Sequence, residues 1–229
     1  MKHLAFLLSL VSGAALAVPT EINAEYRLTN SGVTIARVTE SYVRKGDTYT
    51  IQSITKSEGM LKLILDDQLI VESSGKVGAS GLQPVEFGQR RVGNSSRDIK
   101  ATFDWDKGVM SYSYRGESKT IPLPRDTQDR LSLMYQFMNI APREGTVVMP
   151  MSNGRGVEYY TYRLVDEVKL TTPAGEFQTR HYERVTSHAR QSKADLWLAK
   201  DYFNFPVRVV FDDPKGLRLE QTLETLQHR

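Results

Sequence analysis

The sequence predicts a mainly β protein: a strongly curved antiparallel sheet, or a partly open β-barrel, packed around one central α-helix. Two observations predict the sheet. A dozen or so short runs of strand-forming residues are separated by turn residues at hairpin spacing. Strands joined by tight turns pair antiparallel, and so many in one sheet must curl or close. A third observation predicts the helix, because residues 122–142 alone carry a helical period. A closed two-sheet sandwich is the alternative arrangement of the same strands.

The runs follow in order. Residues 25–28 and 33–44 flank the turn triplet Asn30-Ser31-Gly32, and Gly46-Asp47 joins 33–44 to 48–57 as a hairpin. In 48–57, Tyr49 and Ile51 share a face with Ser53 and Thr55. Residues 60–65 are too short for periodicity to separate a helix from a buried strand. Strand character resumes at 69–72 and again at 81–87, where Pro84 argues for an edge or irregular strand. The clearest hairpin is 99–105 with 110–114, turning at Asp106-Lys107-Gly108, and 118–123 forms a further strand.

In the helical stretch, Leu131, Met134, Tyr135 and Met138 recur at i, i+3, i+4 and i+7, one apolar helix face. Leu133 and Phe137 widen that stripe, so most of the helix should be buried. Asp126 and Asp129 place negative side chains at the first turn, where orphan N–H groups favour them. Prolines punctuate both ends. Strands return at 146–151 and 157–170, with Tyr160, Tyr162, Leu164, Val168 and Leu170 expected on one face. Further strands follow at 176–186, 194–200, 207–211 and 217–226, the last two turning at Asp213-Pro214-Lys215-Gly216.

Residues 1–17 read as a cleavable signal peptide. Lys2 and His3 open it, residues 4–11 are apolar, and Ala15-Leu16-Ala17 offers a cleavage site. The apolar run is shorter than the ~20 residues that span a bilayer, so the expectation is a periplasmic protein that is not membrane-spanning. Residues 18–229 then form a single β-rich domain, since no linker, repeat or low-complexity run divides them. The chain contains no cysteine, which removes lipoprotein acylation, disulfides and thiolate chemistry. A net charge of +3 in 229 residues is too weak and too scattered to suggest nucleic-acid binding.

Gly81-Leu82-Gln83-Pro84-Val85-Glu86-Phe87, Phe103-Asp104, Gln128-Asp129-Arg130-Leu131-Ser132, Thr172-Pro173-Ala174-Gly175-Glu176-Phe177, and Leu196-Trp197-Leu198 with Pro206-Val207-Arg208 occur in that order. In this order and spacing the chain resembles the bacterial exported-protein family catalogued as domain of unknown function 3108, over about residues 26–226. That family has no established activity, so the resemblance implies no catalytic residues. Its architecture is similar to the curved-sheet, helix-plugged carriers that shuttle lipoproteins in the periplasm, an analogy of fold only.

No catalytic constellation is legible. His181 and His188 are oddly spaced, which on a strand puts them on opposite faces, and neither belongs to a metal-ligand pattern. His181 shares a strand face with Glu183, a polar pair that would greet a ligand if that face lined a cavity; a satisfied surface pair is the plainer reading. Gly78-Ala79-Ser80-Gly81 is a turn, not a nucleophile elbow. The loop bearing Arg90, Arg91 and Arg97 is basic, offering anionic headgroups a contact, although solvation explains it as well.

The function expected from these residues is binding or carriage of an apolar ligand, a lipid or envelope component. Leu131, Met134, Tyr135, Met138, Tyr160, Tyr162, His181 and Glu183 would line the cavity, with no cofactor and no metal. The alternative is a non-enzymatic interaction or assembly protein of the cell envelope. It would act through an edge strand or the aromatic loop of Tyr202, Phe203 and Phe205. An enzyme ranks third and would need His181 and Glu183 in a cleft.

Overall fold

The structure, a computed structural model, describes residues 18–59, 68–140 and 145–229. The leader and the ambiguous 60–65 run lie outside the described residues. The others build one fifteen-stranded sheet. The first eight strands are β1 (Glu21–Asn30), β2 (Val33–Lys45), β3 (Thr48–Ser57), β4 (Gln68–Gly78), β5 (Gly81–Arg91), β6 (Ile99–Asp104), β7 (Val109–Tyr114) and β8 (Glu117–Pro122). Then come β9 (Gln128–Asp129), the short helix α1 (Ser132–Gln136), β10 (Thr146–Ser152), β11 (Val157–Thr172) and β12 (Gly175–Val185). The last three are β13 (Lys193–Ala199), β14 (Phe205–Asp212) and β15 (Arg218–His228).

The order across the sheet explains its curl. β1 pairs with β2 on one side and β15 on the other; β2 to β8 run outward in sequence, and β15 back to β9 run the opposite way. Every pairing is antiparallel except the two-residue contact of β9 with β10. Yet the chain passes from edge strand β8 to edge strand β9 through residues 123–127 alone. So short a link reaches under ~20 Å, so the two ends of the sheet must meet. They overlap at β4 and β5, where Gln128 Nε2 donates to Leu82 O of β5 at 2.8 Å and Ser73 Oγ of β4 donates to Asp129 Oδ2 at 2.5 Å. No strand ladder joins β5 to β9. The barrel therefore stays open, and β6 to β8 overhang the closure as a flap.

Alternation sets the inner face. Ile22, Ala24 and Tyr26 on β1, Ala36, Val38, Glu40 and Tyr42 on β2, and Tyr49, Ile51 and Ser53 on β3 all point inward. Bulges change which residues alternate inward, and two of them bear on the strands expected from the sequence. One leaves Val85 unpaired, so the inward series passes from Leu82 and Pro84 to Phe87. Pro84 therefore lies on an interior strand at an irregularity, where β6 pairs only Glu86 to Gln89. The other leaves Val165 unpaired and splits the single face expected for 157–170. Tyr160, Tyr162 and Leu164 stay on one side, while Val168 and Leu170 turn to the other.

The central α-helix expected from residues 122–142 is a correction. Among the described residues of that stretch, only Ser132–Gln136 is α-helical. At the front, Gln128 and Asp129 are taken by strand pairing with Met151 and Ser152. Behind it, Met138 N to Tyr135 O (3.1 Å) and Asn139 N to Gln136 O (2.9 Å) tighten the chain into turns, and Asn139 Nδ2 occupies the Tyr135 carbonyl. The expected burial survives without the helix: Leu131, Leu133, Tyr135, Phe137 and Met138 are all buried. Among the described residues, no helix is long and apolar enough to cross a membrane.

Candidate functional site

Among the described residues, buried side chains pack the interior around the plug segment. Tyr135 stacks on Tyr42 at 5.3 Å between ring centroids and meets Phe205 edge-on at 5.9 Å, while Tyr26 stacks on Phe205 at 6.4 Å. Leu131, Tyr135 and Met138 belong to this main core. Leu133 and Phe137 pack into a second cluster with Tyr162, Tyr182, Leu196 and Leu198, and Met134 touches both clusters. The plug segment thus joins the two halves of the curl. Each fully buried aromatic contributes ~2–3 kcal/mol of burial.

Two carboxylates lie inside. Glu40 accepts from Ser53 Oγ and from Tyr135 OH, each at 3.1 Å. Asp129 accepts the backbone N–H of Leu131 and of Ser132, each at 2.8 Å, as well as Ser73 Oγ. Ser73 also meets the Tyr49 hydroxyl at 3.1 Å. Burial raises the pKa of both carboxyls, and their hydrogen bonds only partly oppose it. These groups bind the plug to the sheet.

A pH dependence follows. A carboxyl whose folded pKa is raised holds its proton more tightly when folded. Its contribution to stability is full below the unfolded value, 4.5 for Glu40, and is lost as pH rises through the folded value. Glu40→Gln removes that titration while keeping the shape. Between pH 5 and 8 the native Tm is expected to fall by a few degrees more than that of the variant. Parallel Tm profiles in thermal scans would refute the assignment.

Open space lies on the outside. Three pockets, of about 900, 800 and 650 Å³, open on the outer face of the β3–β8 half. The largest follows from strand register. Thr50, Ser74, Glu86, Thr102, Ser111 and Thr120 pair strand to strand in one row, and Glu72, Gly88, Lys100, Ser113 and Ser118 in the next. These residues line the pocket, so its outward-facing side chains are hydroxyl, carboxylate and ammonium. Gly88 sits mid-row with nothing within 4 Å of where its Cβ would be, which leaves the groove deep there.

The residues expected from the sequence scatter. Leu131, Tyr135 and Met138 are core, and Tyr162 belongs to the second cluster. Tyr160 is half-buried beneath the Arg184 guanidinium, 3.4 Å from its ring centroid. His181 and Glu183 are not brought together. His181 stacks on Trp197 at 4.3 Å, and its two ring nitrogens meet Asp195 (2.9 Å) and Asp166 (3.3 Å), while Glu183 pairs with Arg163. In the aromatic loop, Phe205 is core, Phe203 packs against that core, and Tyr202 is exposed beside Phe177 and His228. Among the described residues, no group of His, Asp and Glu is placed to hold a metal ion.

Sequence reasoning passed over Glu40, Ser73 and the outer rows. Glu40 had a signal, since it falls in the inward series Ala36, Val38, Glu40, Tyr42. The outer rows had none, because each member alone is an ordinary solvent-facing strand residue.

Among solved structures the chain is similar to a beta-barrel-like protein of domain of unknown function 1849 from Brucella abortus, with TM-score 0.63, 10% identity, and 93% of this chain and 99% of that one covered. That likeness concerns the fold. A candidate lipoprotein from Parabacteroides distasonis aligns at TM-score 0.35 and 12% identity over 92% of this chain and 97% of its own. A candidate outer-membrane lipoprotein-sorting domain from Vibrio parahaemolyticus aligns at 0.29 and 11%, over 91% and 85%. At those scores the last two carry no argument. No curated protein sequence matches the chain. The family model for proteins of unknown function designated DUF3108 matches residues 22–222, nearly all of the β sheet just described, and the chain belongs to that family.

Proposed function

We propose that this is a non-enzymatic binding protein of the bacterial envelope whose ligand lies in the outer groove of the β3–β8 half, and that the ligand is polar and hydroxyl-bearing, a saccharide portion of an envelope component. The observation that carries this reading is the contrast between an interior packed with buried side chains and a groove of about 900 Å³ whose lining presents hydroxyls, Glu72, Glu86, Lys100 and Lys119 beside Phe87, Ala101 and Tyr112. Such a lining offers donors and acceptors to a ligand that carries both. The envelope location rests on the leader read in residues 1–17. An apolar ligand held inside would need Leu131, Tyr135 and Met138 to part, since their side chains occupy that space.

Gly88→Trp tests the groove. The new side chain enters open space, so stability should stay level or rise by roughly 0.5 kcal/mol as a strand glycine is replaced. Binding of soluble envelope saccharide fragments, followed by isothermal titration, should weaken at least about tenfold, ~1.4 kcal/mol. Equal binding by the native protein and the variant, or binding by neither, would refute the reading.

The edge of β8 supports a second reading, addition of an extended peptide from another envelope protein. Arg115 and Gly116 form a two-residue turn with φ of 53° and 80°, which makes Tyr114 and Glu117 a hydrogen-bonded pair. By alternation, Ser118 and Thr120 then present their N–H groups to the open side. Thr120→Pro would remove one of these without breaking a bond to β7. Unchanged peptide capture by that variant would count against strand addition.

A further inference from the structure

The second pocket, of about 800 Å³, sits at the tip of the flap between the loop after β5 and the β7–β8 turn. Arg97, Lys100 and Arg115 line it, with Ser95, Ser96 and Ser113 between them. We propose that this pocket binds a phosphate group.

The charge balance is the first argument. Among the described residues Arg97 and Lys100 have no ion-pair partner, and the Arg115 guanidinium lies over the Tyr114 ring, 5.2 Å from its centroid. Asp98 is the one carboxylate in the lining, and its Oδ1 already accepts the backbone N–H of Arg91 at 3.1 Å. Three like charges facing one space repel, and an anion between them turns that repulsion into attraction.

Geometry is the second. Residues Ser95–Arg97 form a 3-10 turn held by Asn94, whose Oδ1 accepts from Ser96 N at 3.3 Å and from Ser96 Oγ at 2.6 Å. That turn sets Arg97 on one wall, while the β7–β8 turn sets Arg115 on the other. Guanidinium forks and hydroxyls on facing walls can donate from two sides to one anion, and a phosphate offers acceptor oxygens in both directions.

Lys100 and Ser113 also line the large groove, so a phosphate here would anchor one end of a ligand lying along the outer rows. For that remainder of the ligand the inference rests on the groove reading. Arg97 and Arg115 line only the tip pocket, which lets the two be tested apart.

The test uses two phosphate sources and two variants. Inorganic phosphate is titrated into the protein while amide signals are followed by nuclear magnetic resonance. In parallel, the protein is sedimented with phosphatidylcholine vesicles doped with phosphatidic acid, against undoped vesicles. Saturable shifts at Arg97, Lys100 and Arg115 are expected, weakened about tenfold or more in Arg97→Gln/Arg115→Asn and largely kept in Arg97→Lys. Binding of inorganic phosphate with no preference for doped vesicles supports the pocket with a soluble phosphorylated ligand. Variant-sensitive binding to doped vesicles supports it with a lipid headgroup. Binding of neither probe, or binding that the double variant leaves unchanged, overturns the proposal. Gly88→Trp should leave phosphate shifts at Arg97 and Arg115 in place, so loss of saccharide binding alone would remove the groove reading and not this one.

Discussion

Asp129→Ala is expected to lower stability by about 4 kcal/mol. Asp129 is fully buried, and its carboxylate accepts from Leu131 N, Ser132 N and Ser73 Oγ. Alanine leaves two buried N–H groups and a hydroxyl without an acceptor, at roughly 1–3 kcal/mol each. The burial cost of the charge, evident in the raised pKa, is relieved at the same time, which keeps the total below that sum. Asp129→Asn should cost much less, since one oxygen still serves both N–H groups and the new amide can donate to Ser73. Urea unfolding of both variants checks this. Equal losses for alanine and asparagine would mean that the hydrogen bonds do not hold the plug in place.

Gly75→Ala comes second, at about 3 kcal/mol. A Cβ at Gly75 would lie 2.1 Å from Gln83 O and 2.9 Å from Pro84 Cα. Those are backbone atoms beside the Val85 bulge, so neither rotates away. Relief would require the β4–β5 ladder to shift, and with it the Leu82 contacts to Gln128 and Gln136 that close the curl. Gly78→Ala on the same strand is the control, with nothing within 4 Å of its Cβ. Denaturation midpoints that fail to separate the two variants would contradict this account of the bulge.

Much of the sheet was legible because hairpin turns declare themselves locally. Ser31-Gly32, Gly46-Asp47 and Lys107-Gly108 all place glycine at positive φ, and each joins the strands expected. What was not legible depends on partners distant in sequence. The residues 122–142 have a helical period, yet Gln128 and Asp129 find strand partners at Met151 and Ser152, and that pairing competes with the helix where it would have begun. The apolar stripe was read correctly as buried, because burial needs only the side chains, whatever backbone carries them. The Val165 bulge divided a face that simple alternation kept whole, and no residue type announces it. The groove is the extreme case. Thr50 and Thr120 are seventy residues apart in numbering and fall in one row only through five successive registers.

Ligand held outside the curl, on the β3–β8 half, and ligand held among the core side chains are told apart by where binding is felt. The most direct measurement is a resonance-assigned titration with two probes: glucose 1-phosphate for the outer surface and monomeric dodecanoate for the core. The account predicts saturable shifts from glucose 1-phosphate at Gly88, Lys100, Ser113 and Arg115, with dodecanoate leaving Tyr26, Tyr135 and Phe205 unmoved. Saturable dodecanoate shifts centred on Leu131, Tyr135 and Met138, with glucose 1-phosphate inert, would contradict it.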